Sequence, residues 1–459
     1  MKPTTLDAYQ LMHEGALALA DVEEAGIRID VERLDQTIAD IDVVIDGLYS
    51  QLQNDKVWYS WKERWGEKSN LGSRYQLGKV LFEELGYKAK KLTPTGRAQV
   101  NEEALTQINL SFVKNYLRIE KLKKLRTTYL LGIRREVVGE YLHAFFNLHL
   151  ARTMRSSASE PNLQNIPIRD TEAGRLIRSC IIPRDGHTLV EIDYSSLEYR
   201  VCACFYQDEN MLAYVADPTS DVHRDVAAEL FMLDQDDVSK DLRFYAKNQF
   251  VFATLYGSYY VNTSKNLWNE AVLGASVTTS GGVPIRKHLA SKGIKQLGMC
   301  KPGHTALKGT FERHVKQVEE RFKERFPQWA ERKEIWWQRY LSSGSFQMMT
   351  GFSCSGVFTR NDLYNYPIQG PAFHLLLWSL IQMVKWLKDE GMKSVVVAEV
   401  HDSLLIDVEN SELDDVIAKA KQVMTKDVQD HWRWAARVPL EVEVEASEKN
   451  WYEKKPWKG

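Results

Sequence analysis

Apolar positions recur at helical spacing through residues 7 to 60, and the run is broken at Gly26 by a short extended piece, IRIDVERL. A second helical stretch, SRYQLGKVLFEELGYK, follows the turn signal at Asn70 to Ser73. LTPTGRAQVNEEAL has loop composition and then starts another helix. Near position 140 the character changes. Short apolar strand candidates appear: TLVEID at 188–193, SVVVAEV at 394–400 and SLLIDV at 403–408. The last two flank His401-Asp402, the spacing of a two-residue hairpin, although His-Asp is not a favoured turn pair. Near the C-terminus PLEVEVE alternates strictly, with Leu440, Val442 and Val444 on one side and Glu441, Glu443 and Glu445 on the other, the signature of a half-buried strand with a wet acidic face. Long amphipathic helices are expected at 310–341 and 370–390. There is no internal repeat and no low-complexity tract. The pattern predicts an α+β fold in which a small antiparallel sheet carries two largely helical lobes.

Length and composition narrow the class. The chain has 459 residues, and at ~150 residues per domain that predicts roughly three units. No apolar run approaches the roughly 20 residues needed to span a bilayer, and MKPTTLDAYQL lacks a secretory pattern, so a cytoplasmic protein with no membrane partner is expected. The five cysteines (Cys180, Cys202, Cys204, Cys300, Cys354) are scattered and odd in number, which suits buried reduced thiols better than a metal site. Net charge is only −2, but charge is uneven along the chain. KNYLRIEKLKKLR, from Lys114 to Arg126, carries six cations against one Glu. Between Ser258 and Thr310 there are seven Lys or Arg and one acid, Glu270. Such stripes attract phosphate, although a solvated helix face is the usual meaning of any single run.

Two carboxylates stand out by position. Asp193 ends the apolar strand TLVEID, and Asp402 sits at the turn of the 394–408 hairpin. One acid at a strand end is ordinarily a solvated turn residue. Two at the rim of one small sheet could face each other and hold hard divalent cations, which demand oxygen ligands. A metal pair about 3.5–4 Å apart clamps the attacking and leaving oxygens of an in-line phosphoryl transfer.

Five segments carry a family resemblance. SSASEPNLQNIP is similar to the primer-template signature of family A DNA polymerases, the group of bacterial DNA polymerase I and many phage replicases. VEIDYSSLEYR resembles that family's first catalytic motif, RFYAKNQFVFATLYG its second, on the helix that closes over the incoming nucleotide, and EVHDSLLID its third. NYPIQG resembles a further DNA-contacting helix start. NLGSRYQLGKVLFEELG, KLRTTY and VPLEVEV extend the likeness over nearly the whole chain.

The resemblance implies a right-hand polymerase: a palm base at 1–22, a helical thumb at 23–130, palm at 131–205, fingers at 206–365 with a basic insertion near 258–310, and palm again at 366–459. It implies that Asp193, Asp402 and the backbone carbonyl of Tyr194 ligate two Mg2+ ions, for which Mn2+ can substitute. Lys247 joins the two aspartates as a catalytic residue. Arg243, Lys247 and His223 are expected on the triphosphate of the dNTP, as the cationic clamp that phosphate transfer requires. Glu198 is expected under the sugar, excluding a 2′-hydroxyl, Phe252 near the sugar and Tyr256 at the nascent base pair. Arg155, Gln164, Asn165, Gln369 and His401 are expected in the minor groove of primer-template DNA, where acceptors common to every Watson–Crick pair report pairing geometry rather than sequence. Gln164 and Asn165 have the strongest competing reading, as ordinary loop formers.

The departures are as informative. In the family the lysine and the stacking aromatic are four residues apart, whereas Phe252 lies five after Lys247. On an ideal helix that step turns the face by about 140° rather than about 40°. A π-bulge between Lys247 and Phe252 is therefore expected. Ser403 stands where the family has Glu, removing the outer-shell help of that carboxylate, and Ser196 replaces a usual Gln. The 258–310 stretch is longer than the usual fingertip; a flexible surface insertion is the default expectation, and a grip on template or on a replication partner the sharper one. Nothing before LMHEGALALADVEEAGIRID resembles the family's 3′–5′ exonuclease, so no proofreading is expected of this polypeptide, leaving room for a separate exonuclease or processivity subunit. A stand-alone polymerase module is phage-like, which would put it in a host cytoplasm. The rivals are a single-subunit RNA polymerase, against which Glu198 and Phe252 argue, and an inactive DNA-binding accessory module, against which the intact aspartates, Arg243, Lys247 and Tyr256 argue.

Overall fold

A computed structural model describes residues 2–458 except 89–92, 94–95, 97, 107, 168–169 and 275–276. Part of the expected 92–105 loop lies outside the described residues; the helix after it is Glu102–Leu105. The first helix, α1 (Thr5–Ala25), opens with a capping box in which Thr4 and Asp7 satisfy each other's backbone and side-chain groups. It stops at Gly26, whose φ of +66° leads into Ile27–Arg28, paired with Tyr141–Leu142. A Cβ on Gly26 would stand 2.8 Å from the His143 ring, so only glycine fits. Helix α2 (Val31–Gln53) is capped by Asp30 and packs on α3 (Ser111–Lys124).

The centre of the molecule is a five-stranded antiparallel sheet built from β1 (His187–Tyr194), β2 (Val395–Val400), β3 (Ser403–Glu409), β4 (Val442–Ser447) and β5 (Lys455–Pro456). Its order is β5-β4-β1-β3-β2. The apolar runs expected at 188–193, 394–400 and 403–408 thus form three adjacent strands, with Leu189, Val190, Ile192, Leu404, Leu405 and Ile406 buried. Of the alternation expected at 440–445, Leu440 and Val444 are buried and Glu441 and Glu443 exposed, while Val442 and Glu445 are both half-buried. Five further helices follow β1 in the chain: α4 (Leu197–Tyr206), α5 (Val222–Phe231), α6 (240–255), α7 (Ile285–Ser291) and α8 (Phe311–Arg325).

Several expectations are corrected. The single helix expected at 310–341 is two, α8 and α9 (Pro327–Ser343). The break falls at Phe326, because Pro327 excludes helical geometry from the residue before it and supplies N1 of the next helix. The helix expected at 370–390 is α10 (Arg360–Asp389), which begins earlier and runs through Pro367 and Pro371. Pro367 cannot donate to the carbonyl of Leu363, and that oxygen is satisfied instead by the Trp336 indole N–H at 3.0 Å, from α9. NYPIQG therefore lies inside α10 rather than at a helix start. The basic run on α3 and just beyond is partly neutralised, with Arg118 paired to Glu172, Lys121 to Asp170 and Arg126 to Asp42. The 258–310 insertion is folded where described. It contains the helix Tyr260–Leu267, a π turn at Trp268–Val272 and α7, with Ile285 and Leu289 fully buried. All five cysteines are buried and none forms a disulfide. Among the described residues no helix is long and apolar enough to cross a membrane.

Candidate active site

Asp193 and Asp402 meet because their strands are neighbours. In the β1–β3 ladder Asp193 is opposite Ser403, and the amide of Tyr194 donates to the carbonyl of Asp402 at 3.1 Å. The turn that presents Asp402 is made by His401 at a φ of +62°, a left-handed conformation costly for a non-glycine residue and characteristic of functional sites. The two carboxyl groups lie within hydrogen-bonding reach and both are held above the ordinary carboxylate range. For Asp193 the causes are burial, then the charges of Asp402 and Glu191; for Asp402 they are burial and then the charge of Glu198. Two buried carboxylates this close resist ionising together, and a hard divalent cation between them would reverse that preference. The donor set, two carboxylates beside the main chain of Tyr194, fits such an ion. Among the described residues no cluster of three or more acidic, His or Cys side chains adds to it. The Tyr194 side chain points away from the site, its hydroxyl 3.2 Å from Ser379 Oγ in the core, so only its main chain serves here.

The missing family glutamate beside Asp402 has a neighbour in its place. Ser403 Oγ lies 3.1 Å from Glu191 Oε1, and Glu191 also accepts from Trp451 Nε1 at 2.6 Å and from Lys454, which keep its carboxyl below the usual range. A carboxylate from β1 thus stands behind the aspartate pair.

After β1 the chain turns through Ser196, left-handed at a φ of +53°, into α4. That turn places Glu198 between two groups it binds, the guanidinium of Arg155 and the hydroxyl of Tyr256. Arg155 Nε also donates to the Gln369 carbonyl at 3.4 Å, so Arg155, Glu198, Tyr256 and Gln369 form one linked wall. Arg200, on the same helix, bonds Glu441 and the carbonyls of Ser195 and Pro439, fixing α4 to the start of β4.

Helix α6 carries the cationic side. Lys240–Tyr245 and Phe252–Leu255 are α-helical, and between them Ala246–Val251 is a π turn in which the amide of Phe252 donates to the carbonyl of Lys247. The surplus residue is absorbed where the spacing required it. Lys247 Nζ stands 5.7 Å from the centre of the Phe252 ring, and Phe252 stacks on Tyr256 at 6.0 Å with 11° between planes. Arg243 Nε donates to Asp221 Oδ2 at 2.6 Å. His223 is buried with both ring nitrogens unpartnered, and burial, Lys247 and Arg243 push its pKa down to about 3, leaving it neutral. Arg243, Asp221 and His223 line a cavity of about 280 Å³ with Ser195, Ser196 and Tyr199.

The remaining residues divide. Gln164 Nε2 donates to Glu399 Oε1 at 2.7 Å and to Ser156 Oγ at 2.9 Å, so its amide is held in place. His401 is exposed at the hairpin tip. Asn165 is exposed in the turn Leu163–Asn165, and its backbone, not its side chain, is the bonded part. Sequence reasoning passed over Asp221, Glu191, Arg200 and Glu399. Glu191 and Glu399 left a signal, each as an acid inside an apolar run, TLVEID and VVVAEV, which a buried strand tolerates only with partners.

The sequence profile of DNA polymerase family A matches residues 51–274 and 353–453. The chain is 29% identical over 451 residues to DNA polymerase I of Bacillus subtilis (strain 168), covering 96% of this chain and 45% of that protein. It is 28% identical over 447 residues to DNA polymerase I of Geobacillus stearothermophilus, covering 95% of this chain and 45% of that one. The chain thus spans about half the length of the curated relatives it matches. Among solved structures, the POL domain of Pol1 from M. smegmatis, in complex with DNA primer-template and dNTP, superposes with a TM-score of 0.73 at 24% identity, over 96% of this chain and 70% of that one.

Proposed function

Because the chain belongs to DNA polymerase family A, we propose that it extends a DNA primer on a DNA template, joining dNTPs by attack of the primer 3′-hydroxyl on the α-phosphate with release of pyrophosphate. The observation that carries this reading is the meeting of Asp193 and Asp402 on adjacent strands, buried and mutually repelling. They and the Tyr194 carbonyl would hold two Mg2+ ions, which when bound neutralise charge on the phosphates and activate the attacking hydroxyl. Glu191, backed by Lys454 and Trp451, positions this end of the sheet.

The chain's other residues bind and orient. Lys247 and Arg243 present cationic donors to the triphosphate, and the unpartnered nitrogens of neutral His223 offer a further hydrogen bond. Asp221 aims the Arg243 guanidinium. Phe252 and Tyr256 form an apolar shelf for sugar and base, and Glu198, held from both sides, closes the space a 2′-hydroxyl would need. Arg155, the fixed Gln164 amide, Gln369 and His401 would follow the minor groove behind the primer end. In this reading the sheet is the palm, α2 and α3 belong to the thumb, and α5 to α9 to the fingers.

Primer extension with dNTPs or NTPs offered separately, using wild type and Asp402→Ala, tests the proposal. Wild type should extend with dNTPs, and Asp402→Ala should retain DNA affinity and lose extension. Normal extension by Asp402→Ala, or extension only with NTPs, would overturn it.

A further inference from the structure

Residues 275–352 fall outside the family match, and the first part of that stretch has an unusual charge. Between Ala271 and Gly309 there are six Lys or Arg and no Asp or Glu. The six are Arg286, Lys287, Lys292, Lys295, Lys301 and Lys308. All are exposed, and among the described residues none is ion-paired. The contrast with the basic run at 114–126, where acids from elsewhere in the chain neutralise Arg118, Lys121 and Arg126, shows that this surface has been left charged rather than balanced. Unbalanced cations on a folded scaffold attract a polyanion and release its counterions on contact.

The scaffold is fixed to one part of the molecule. Ser239 Oγ, at the N-cap of α6, donates to the Thr278 carbonyl at 2.7 Å, and the Ser280 amide donates to the Asp237 carbonyl at 3.0 Å. His288 Nε2 lies 3.0 Å from the Met232 carbonyl, and the amides of Phe311 and Glu312 donate to Gln296 and Leu297. Ser239 and Asp237 precede α6 and Met232 ends α5, the two helices that carry His223, Arg243 and Lys247, while Phe311 and Glu312 open α8; none of these anchors belongs to the sheet or to α2 and α3.

We infer that this segment binds the unpaired template strand ahead of the primer end. The inference rests on the polymerase reading above. The residues suited to the duplex (Arg155, Gln164, Gln369, His401) are grouped at the sheet. A template base must reach a nucleotide held on α6 from the opposite side, and the cationic segment is bonded to the N-cap of that helix. Between the cations, Met299 and Leu307 are 54% and 61% exposed, supplying apolar contact to unstacked bases.

The test uses the full chain and a variant with all six cations changed to Gln. Fluorescence anisotropy measures affinity for primer-templates of one duplex length with a template overhang of about 2 or about 15 nucleotides, between about 50 and 200 mM salt. With about 0.7 in the salt slope per single-strand phosphate contact, the variant should lose up to ~4 from the slope on the long overhang. It should bind the short overhang as wild type does. Equal slopes on the long overhang, or the same loss on both substrates, would overturn the inference. A triple variant (Lys295→Gln, Lys301→Gln, Lys308→Gln) should lose about half as much slope and carries the test if the sixfold variant does not fold. Extension of the short-overhang substrate is measured alongside: if wild type fails there, it is the polymerase reading that falls.

Discussion

Lys247 Nζ lies 5.7 Å from the centre of the Phe252 ring although five positions separate the two on one helix. The π turn at Ala246–Val251 makes this contact by taking up a single residue, so the α-helical segments on either side keep their own registers. Removing one residue from inside the turn should convert it to regular helix and leave both flanking faces where they are. Deletion of Asn248, whose side chain bonds the Phe244 carbonyl one turn back on the same helix, should keep primer extension within about tenfold of wild type. Inserting Ala after Ala253 turns Phe252 away from Tyr256 by about 100° and should abolish it. Single-turnover extension rates compare the two, and loss of activity in both would show that the turn does more than absorb a residue.

The aspartate pair should make stability depend on divalent cation. In chelator, Asp193→Asn relieves the repulsion between buried carboxylates and should stabilise the fold by on the order of 1 kcal/mol or more. Mg2+ at ~100 times its dissociation constant should stabilise wild type by about 2.7 kcal/mol and the variant far less. Thermal melts with and without Mg2+ read both effects; an equal Mg2+ shift in wild type and Asp193→Asn would place the ions elsewhere.

Glu198 bonds both Arg155 and Tyr256. Glu198→Ala opens space beneath the sugar and should raise the rNTP-to-dNTP ratio of kcat/KM by roughly 10–100-fold, the range one small group is worth in a pocket. Single-nucleotide insertion kinetics with paired dNTP and rNTP measure it. An unchanged ratio would remove Glu198 from sugar selection.

Glu399 is fully buried, and burial raises its pKa to about 7 despite hydrogen bonds from Ser156 and Gln164. The folded state therefore holds a proton that the unfolded chain releases near 4.5. Stability from this group is fully present below that lower value and is lost as pH rises toward 7, by on the order of 3 kcal/mol. Denaturant unfolding of wild type between these pH values should show that decline, and Glu399→Gln should flatten it. Parallel profiles for the two proteins would assign the decline to other groups.

Much of the candidate site was legible in the residues themselves. Strands β1, β2 and β3 are apolar runs, and the surplus residue of α6 shows as a spacing. Gly26 and the Thr4–Asp7 box mark helix ends by local chemistry. Pro327 was legible too and was passed over, because helical periodicity continues across it.

What only the tertiary structure decided are the partnerships between residues far apart in the chain. Local pattern could suggest that Asp193 and Asp402 each end a strand, but the order β5-β4-β1-β3-β2 is what makes those strands neighbours. Helix α10 continues through Pro367 because an indole from α9 takes the carbonyl that proline leaves free. Arg118 and Lys121 on α3 are balanced by Glu172 and Asp170, and the cations at 286–308 by nothing among the described residues. Backbone periodicity is a short-range property set by residues within a turn or two. Hydrogen bonds and ion pairs follow from which surfaces pack together, and that is settled by the burial of the whole chain.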